Sequence, residues 1–225
     1  MRQIATPLKL DVWSKQLADH PDGEFVGYIL RGIEKGFRLG FGASLSKLVA
    51  RRGNMISASE QPGVIRQYLK EEIAGGRVIK VLSLKEAEEL GIHCSPFGVI
   101  PKKNRPNKWR LIVDLSSPEG QSVNDGISKE LASLSYVSVD EVVAQICKVG
   151  KGAMMAKMDI KRAYRNVPVH PDDRGLLGMR WEDAVFIDAA LPFGLRSAPM
   201  IFSALADALQ WIMKKKGAGW LSHYT

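Results

Sequence analysis

Residues 154–160, Met154-Met155-Ala156-Lys157-Met158-Asp159-Ile160, are the stretch from which the rest of this chain is read. The run is apolar apart from one lysine, and it predicts a buried strand that ends on an acid, Asp159. A carboxylate at the end of an apolar strand loses hydration unless a cation or a donor meets it. A divalent metal held by oxygen ligands is one such partner. A cap for the turn Lys161-Arg162-Ala163-Tyr164, or a salt bridge to Lys161 or Arg162, would serve equally well. Spacing alone leaves these partners open.

On the C-terminal side, strand-like runs at 176–181 and 185–191 are joined by Glu182-Asp183-Ala184 and predict a hairpin. Leu191-Pro192-Phe193-Gly194-Leu195-Arg196-Ser197-Ala198-Pro199 then reads as a bend between strand and helix, with glycine allowing close backbone approach. A long helix starts near Ser197, with Ile201, Phe202, Leu205, Leu209, Ile212 and Met213 on one face and Gly217 as its stop. Lys214-Lys215-Lys216 falls in its last turn, where cations complement the helix dipole, with template contact as a secondary role. Trp220-Leu221 predicts a further strand, and the chain reads as the front part of a longer polypeptide.

On the N-terminal side, Ser138 or Asp140 caps a helix running through Val149. Residues 97–101 and 109–115 predict the strands of a β-hairpin, with Asn104-Arg105-Pro106-Asn107 as its turn. Between Pro101 and Arg110 the chain carries five cations and no acid, so the tip must project into solvent. Asp22 caps a helix to about Lys35, with Phe25, Ile29 and Ile33 at helical spacing and Gly36 as its stop. Pro62 begins another, bearing Ile65, Leu69 and Ile73 and ending at Gly75-Gly76. Residues 42–61 show no period and read as loop. His93-Cys94 lacks a partner pair at zinc spacing, which favours a structural role.

With 225 residues, 45% apolar and 25% charged, the chain has globular composition. Thirty-two Lys and Arg against 24 Asp and Glu leave a formal charge of +8, which suits a polyanionic partner. No apolar run approaches the roughly 20 residues needed to cross a bilayer, and the N-terminus has no signal-peptide core. Cys94 and Cys147 cannot build a disulfide framework. An intracellular setting, cytoplasmic or nuclear, without membrane contact follows.

The motifs together resemble a known family. Ser95-Pro96-Phe97-Gly98-Val99-Ile100-Pro101-Lys102-Lys103, Lys108-Trp109-Arg110-Leu111-Ile112-Val113-Asp114 and Ser122-Val123-Asn124 resemble the fingers of reverse transcriptases. Met158-Asp159-Ile160-Lys161-Arg162-Ala163-Tyr164 resembles the motif that bears their first catalytic aspartate. Residues 191–199 resemble the motif that positions template and nucleotide. His223-Tyr224-Thr225 resembles the opening of the Tyr-x-Asp-Asp motif. Thr6-Pro7-Leu8, Phe37-Arg38-Leu39-Gly40-Phe41, Val169-His170-Pro171-Asp172-Asp173-Arg174 and Leu177-Gly178-Met179-Arg180-Trp181 are similar to DIRS-like retrotransposons.

The resemblance implies an α+β polymerase right hand: fingers plus an incomplete palm, with an antiparallel sheet backed by helices. Residues 1–60 would be a helical N-terminal extension, 61–153 a fingers-like region with the basic hairpin, and 154–225 a partial palm. It implies RNA-directed DNA polymerase activity on an RNA or DNA template with primer, using deoxynucleoside triphosphates and two magnesium ions. Asp159 would bridge both ions, with the Ile160 carbonyl as a further ligand. Lys103 and Arg110 would grip the triphosphate, and Lys102 and Lys108 would touch template. Tyr164 would pack under the incoming sugar, Phe193 and Gly194 would lie near nucleotide and template, and Trp109 would anchor the hairpin. One carboxylate is a poor site for two dications, so the 225-residue chain is expected to be inactive alone. The alternative is a non-enzymatic nucleic-acid-binding relic.

Overall fold

The computed structural model describes residues 6–42, 53–134 and 136–223. Helix α1 spans Leu10–Gln16 and α2 spans Gly23–Lys35, the latter capped by Asp22, whose Oδ1 accepts from the Phe25 N–H at 2.9 Å. Gly36 ends α2 at φ +93°; a Cβ there would lie 2.5 Å from the His170 nitrogen, so only glycine fits. A short helix, α3 (Ile56–Glu60), occupies part of the stretch read as loop; residues 43–52 of that stretch lie outside the described residues. Helix α4 (Pro62–Ala74) buries Ile65 and Leu69 as expected, but Ile73 faces solvent and Glu72 is buried instead.

Two further elements escaped the sequence reading. Strand β1 (Val78–Ser83) runs into α5 (Leu84–Glu89), whose start is a capping box: Ser83 accepts from the Glu86 N–H while Glu86 accepts from the Ser83 N–H. Strands β2 (Phe97–Pro101) and β3 (Trp109–Val113) form the expected hairpin. Helix α6 (Val139–Val149) is capped by Ser138 rather than Asp140 and buries none of its residues. Strands β4 (Gly178–Trp181) and β5 (Ala184–Asp188) form the second hairpin, with residues 171–176 wound as a 3₁₀ turn before it. Strand β5 lies between β1 and β4 in an antiparallel three-stranded sheet. Helix α7 spans Ala198–Lys215.

Two apolar clusters position the site. In one, Ile29 and Ile33 of α2 pack with Phe37, Leu39, Ile201 and Leu205. In the other, Ile65 and Leu69 of α4 meet Phe97, Val99, Met179 and Trp181, joining the first hairpin to the sheet. Residues 37–41 run through the first cluster, bridging to Val169 at Phe37 and to Ile127 at Phe41. The Phe37 N–H donates to the Pro168 carbonyl at 2.8 Å and the Asp173 carboxylate accepts from the Leu39 N–H at 2.6 Å. Arg38 adds an ion pair to Asp173 at 2.9 Å. Two segments quoted above for one resemblance thus pair with each other.

Two expected strands are absent. Residues 154–160 are irregular and exposed, with Met154 97% exposed. Among the described residues no strand lies beside them, so their backbone has no ladder and their side chains no cover. Residues 220–221 are likewise irregular; the Leu221 carbonyl accepts from Gln210 Nε2 at 2.5 Å instead of joining a sheet. Tyr224 and Thr225 lie outside the described residues.

His93 is buried with neither ring nitrogen bonded among the described residues. Burial holds its pKa below the ordinary 6.5. The unfolded chain therefore takes up a proton that the folded chain refuses. Stability is full above about pH 6.5 and falls as pH drops below it. The urea midpoint is expected to decline from pH 7.5 to 5.5, and less so in His93→Leu; identical slopes would remove His93 as the cause.

Candidate functional site

The hairpin register pairs Ile100 with Arg110 and Pro101 with Trp109. Side chains alternate across a strand, so Arg110 shares the outer face with Ile100 and Ile112 while Leu111 and Val113 face the core. The turn closes with the Lys102 N–H donating to the Lys108 carbonyl at 2.8 Å and with Asn104 and Asn107 in the left-handed region. Lys102, Lys103, Arg105, Lys108 and Arg110 are all exposed, and none has an ion-pair partner among the described residues. Trp109 keeps 37% of its surface exposed, so Phe97 and Val99 anchor the hairpin instead.

Asp159 is exposed and forms neither of the local contacts that its spacing allowed. Arg162, at φ +57°, turns away to Glu71 at 3.2 Å. Residues 163–166 wind into a 3₁₀ turn, and the Ile160 carbonyl accepts from the Ala163 N–H at 3.2 Å. That turn places the Tyr164 ring 5.0 Å from Phe193 and edge-on to Phe202 at 5.4 Å. Phe193 remains 59% exposed, while Tyr164 is half-buried and packs against the first apolar cluster, so the pair bridges core and surface.

Gly194 adopts φ +85°, a conformation that favours glycine. Its carbonyl accepts from Asn124 Nδ2 at 2.9 Å, and Asn124 Oδ1 accepts from the Arg196 N–H at 2.7 Å. Arg196 Nη1 donates to the Asn124 and Ile127 carbonyls. Asn124 in turn donates to the Leu115 carbonyl at 2.9 Å, just beyond β3. The bend is therefore locked to the base of the basic hairpin. Ser122-Val123-Asn124 carried the signal for this clamp, although its role needed the fold.

A buried ionic group holds the 163–166 turn from behind. Arg165, 6% exposed, donates from Nη1 to Asp188 Oδ2 at 2.6 Å and from Nε to Glu72 Oε2 at 3.0 Å. Arg77 grips the same Glu72 at 2.7 and 2.9 Å. Burial alone would raise the Glu72 pKa, but the hydrogen bonds and charges of Arg77 and Arg165 hold it below the usual range. Sequence reading missed Arg165, Glu72 and Asp188, because no local pattern marks a pairing across 93 residues.

The structure thus brings Tyr164, Phe193 and Gly194 together at the foot of β3. Arg110 sits three residues up that strand from Val113, about 10 Å away at strand rise. Asp159 and Ile160 lie on the exposed run leading into the Tyr164 turn. Lys102, Lys103 and Lys108 lie at the hairpin's solvent end. Among the described residues no three His, Cys, Asp or Glu side chains gather as a metal site. Magnesium keeps its waters unless several anionic ligands replace them. Among the described residues Asp159 with the Ile160 carbonyl therefore does not make a two-ion centre.

Among the described residues no helix is long and apolar enough to cross a membrane. The chain is 24% identical over 117 residues to the retrovirus-related Pol polyprotein from transposon 412 of Drosophila melanogaster, covering 49% of this chain and 8% of that protein. It is 22% identical over 116 residues to that from transposon opus of the same organism, covering 50% and 11%. It therefore spans about a tenth of these curated relatives. The solved protease–reverse transcriptase of prototype foamy virus matches with a TM-score of 0.54 at 15% identity, over 99% of this chain and 29% of that one. A foamy viral protease–reverse transcriptase in complex with double-stranded DNA matches at 0.51 and 15% identity, over 100% and 46%. These likenesses show a polymerase fold of α+β class. Residues 100–224, which hold the basic hairpin, the Asp159 run and the Gly194 bend, match the model of one family, so the chain belongs to the reverse transcriptases (RNA-dependent DNA polymerases).

Proposed function

We propose that this chain supplies the nucleotide- and template-handling face of a retrotransposon reverse transcriptase, comprising fingers and the front of the palm. One observation carries the reading: Tyr164 lies against Phe193 while Asn124 locks Gly194 to the foot of the cationic hairpin. Two elements distant in sequence converge there with the part of the fingers that bears unpaired cations. Lys103 and Arg110 grip the triphosphate of a deoxynucleotide, arginine by its bidentate fork. Lys102 and Lys108 contact the template, RNA or DNA, along its phosphates. Tyr164 fills the space a ribose 2′-hydroxyl would need, and Phe193 and Gly194 border the nucleotide and template.

The family's magnesium centre would take Asp159 and the Ile160 carbonyl among its oxygen ligands. Such ions neutralise charge on the transferring phosphoryl group. The DIRS-like assignment rests on the motifs quoted for it. The exposed hairpin cations, without ion-pair partners among the described residues, also suit a second reading, a purely nucleic-acid-binding role for this chain alone. Both readings require polyanion binding. A fluorescent RNA/DNA hybrid titrated at rising salt is expected to bind with an affinity that falls steeply and linearly on a log–log plot. Absence of binding, or binding indifferent to salt, would overturn both. Template-dependent primer extension by the chain itself would remove the second.

A further inference from the structure

We propose that the cleft between the α1–α2 connection and the C-terminal half of α7 is a second nucleic-acid site, one that takes an unpaired base of single-stranded RNA or DNA. This rests on the reading of the chain as a nucleic-acid binder but uses none of the residues assigned above. The cleft measures about 340 Å³ and is lined by His20, Phe25, Asp207, Gln210, Trp211 and Lys214. That volume lies within the roughly 300–1,000 Å³ of sites that hold small ligands.

Its wall is aromatic. The His20 ring lies 4.8 Å from Trp211 at 54° and 5.2 Å from Phe25 at 34°, in tilted contact with both. Trp211 and Phe25 are only half-buried. His20 Nδ1 accepts from the Asp22 N–H at 3.1 Å, which fixes the ring's orientation. Gln210 is held by the Leu221 carbonyl and by His223, at 3.3 Å, and so forms a rigid rim.

The charges select the occupant. Lys214 lines the cleft, is exposed and has no carboxylate partner among the described residues. Lys216 follows it, also exposed. Lys215 lies 5.3 Å over the Trp211 ring and is already paired with Asp19. A greasy peptide would leave Lys214 unanswered, whereas a phosphodiester next to a stacked base answers it. Every base has a π-face, so such a platform tolerates any sequence and is worth about 1–3 kcal/mol per base. Asp207, exposed two turns before Lys214 on the same helix and 3.6 Å from His223 Nε2, can accept from a base amino group. Thirteen residues of α7 separate Ala198 from Trp211, about 20 Å at helical rise, so this cleft is distinct from the Gly194 bend.

The test compares a fluorescent oligothymidine with a blunt RNA/DNA hybrid by anisotropy. Trp211→Ala is expected to weaken oligothymidine binding by about fivefold or more, while Trp211→Phe, which keeps a ring, retains most of it. Lys214→Glu with Lys216→Glu should weaken the oligothymidine and steepen no other loss. Hybrid binding should stay near the unaltered value in all of these, whereas hairpin substitutions should weaken the hybrid and spare the oligothymidine. Unchanged oligothymidine binding in Trp211→Ala overturns the proposal, as does parallel loss of both ligands in Trp211→Phe. Tight binding of an arginine-rich peptide with no oligothymidine binding would overturn it too. Hybrid binding unchanged by the hairpin substitutions, with oligothymidine binding still lost in Trp211→Ala, would count against the hairpin reading and leave this one standing.

Discussion

Arg165→Ala is expected to lower the unfolding free energy by about 3–5 kcal/mol, the cost of breaking a buried ion pair from one side. Truncation would leave Asp188, 2% exposed, and Glu72, 4% exposed, facing each other without the guanidinium between them. Glu72 would keep Arg77, but Asp188 would lose both of the guanidinium bonds now at 2.6 and 2.9 Å. The damage should also be specific, because Arg165 lies in the turn that carries Tyr164 and donates to the Ala190 carbonyl just before the 191–199 bend. Urea denaturation followed by circular dichroism reads the global loss. Hydrogen exchange at residues 163–167 reads the local one. Arg165→Lys should rescue little, since one ammonium cannot reproduce the fork. A loss below about 1 kcal/mol would mean that the group adds little to the fold.

Replacing Lys102, Lys103, Lys108 and Arg110 together by glutamine should flatten the salt dependence of hybrid binding by about two in log–log slope. Each phosphate neutralised releases close to one counterion, about 0.9 for a duplex, and of the four cations removed Lys102 and Lys108 are the pair on the template phosphates. The hairpin backbone should survive, because its turn is held by main-chain bonds and its anchor residues Phe97 and Val99 are untouched. None of the four cations has an ion-pair partner to lose among the described residues, so stability should stay within about 0.5 kcal/mol. An unchanged slope would place the nucleic acid elsewhere on the molecule.

Elements whose signals are local were legible. Asp22 and Gly36 bracket α2, Pro62 and Gly75 bracket α4, and Ser138 and Gly150 bracket α6, each by chemistry within one turn. The basic hairpin was legible for the same reason, since Asn104 and Asn107 supply the left-handed residues of its turn. Strand β1 was not, because its stability comes from pairing with β5 about a hundred residues later. The Asp159 run shows the converse failure: apolarity predicts burial, but burial needs a neighbouring strand to provide it.

For the site, the residue types were visible and their mutual placement was not. Sequence by itself determined the family, the cationic tip, the glycine at the bend and the tyrosine that follows the acid. Only the tertiary structure decided that Tyr164 meets Phe193, that Asn124 clamps Gly194 and that Arg165 unites α4 with β5. A turn or cap is chosen by interactions within a few residues. A buried charge or an aromatic contact is chosen by whichever distant segments the hydrophobic clusters bring within reach, and no local pattern encodes that distance.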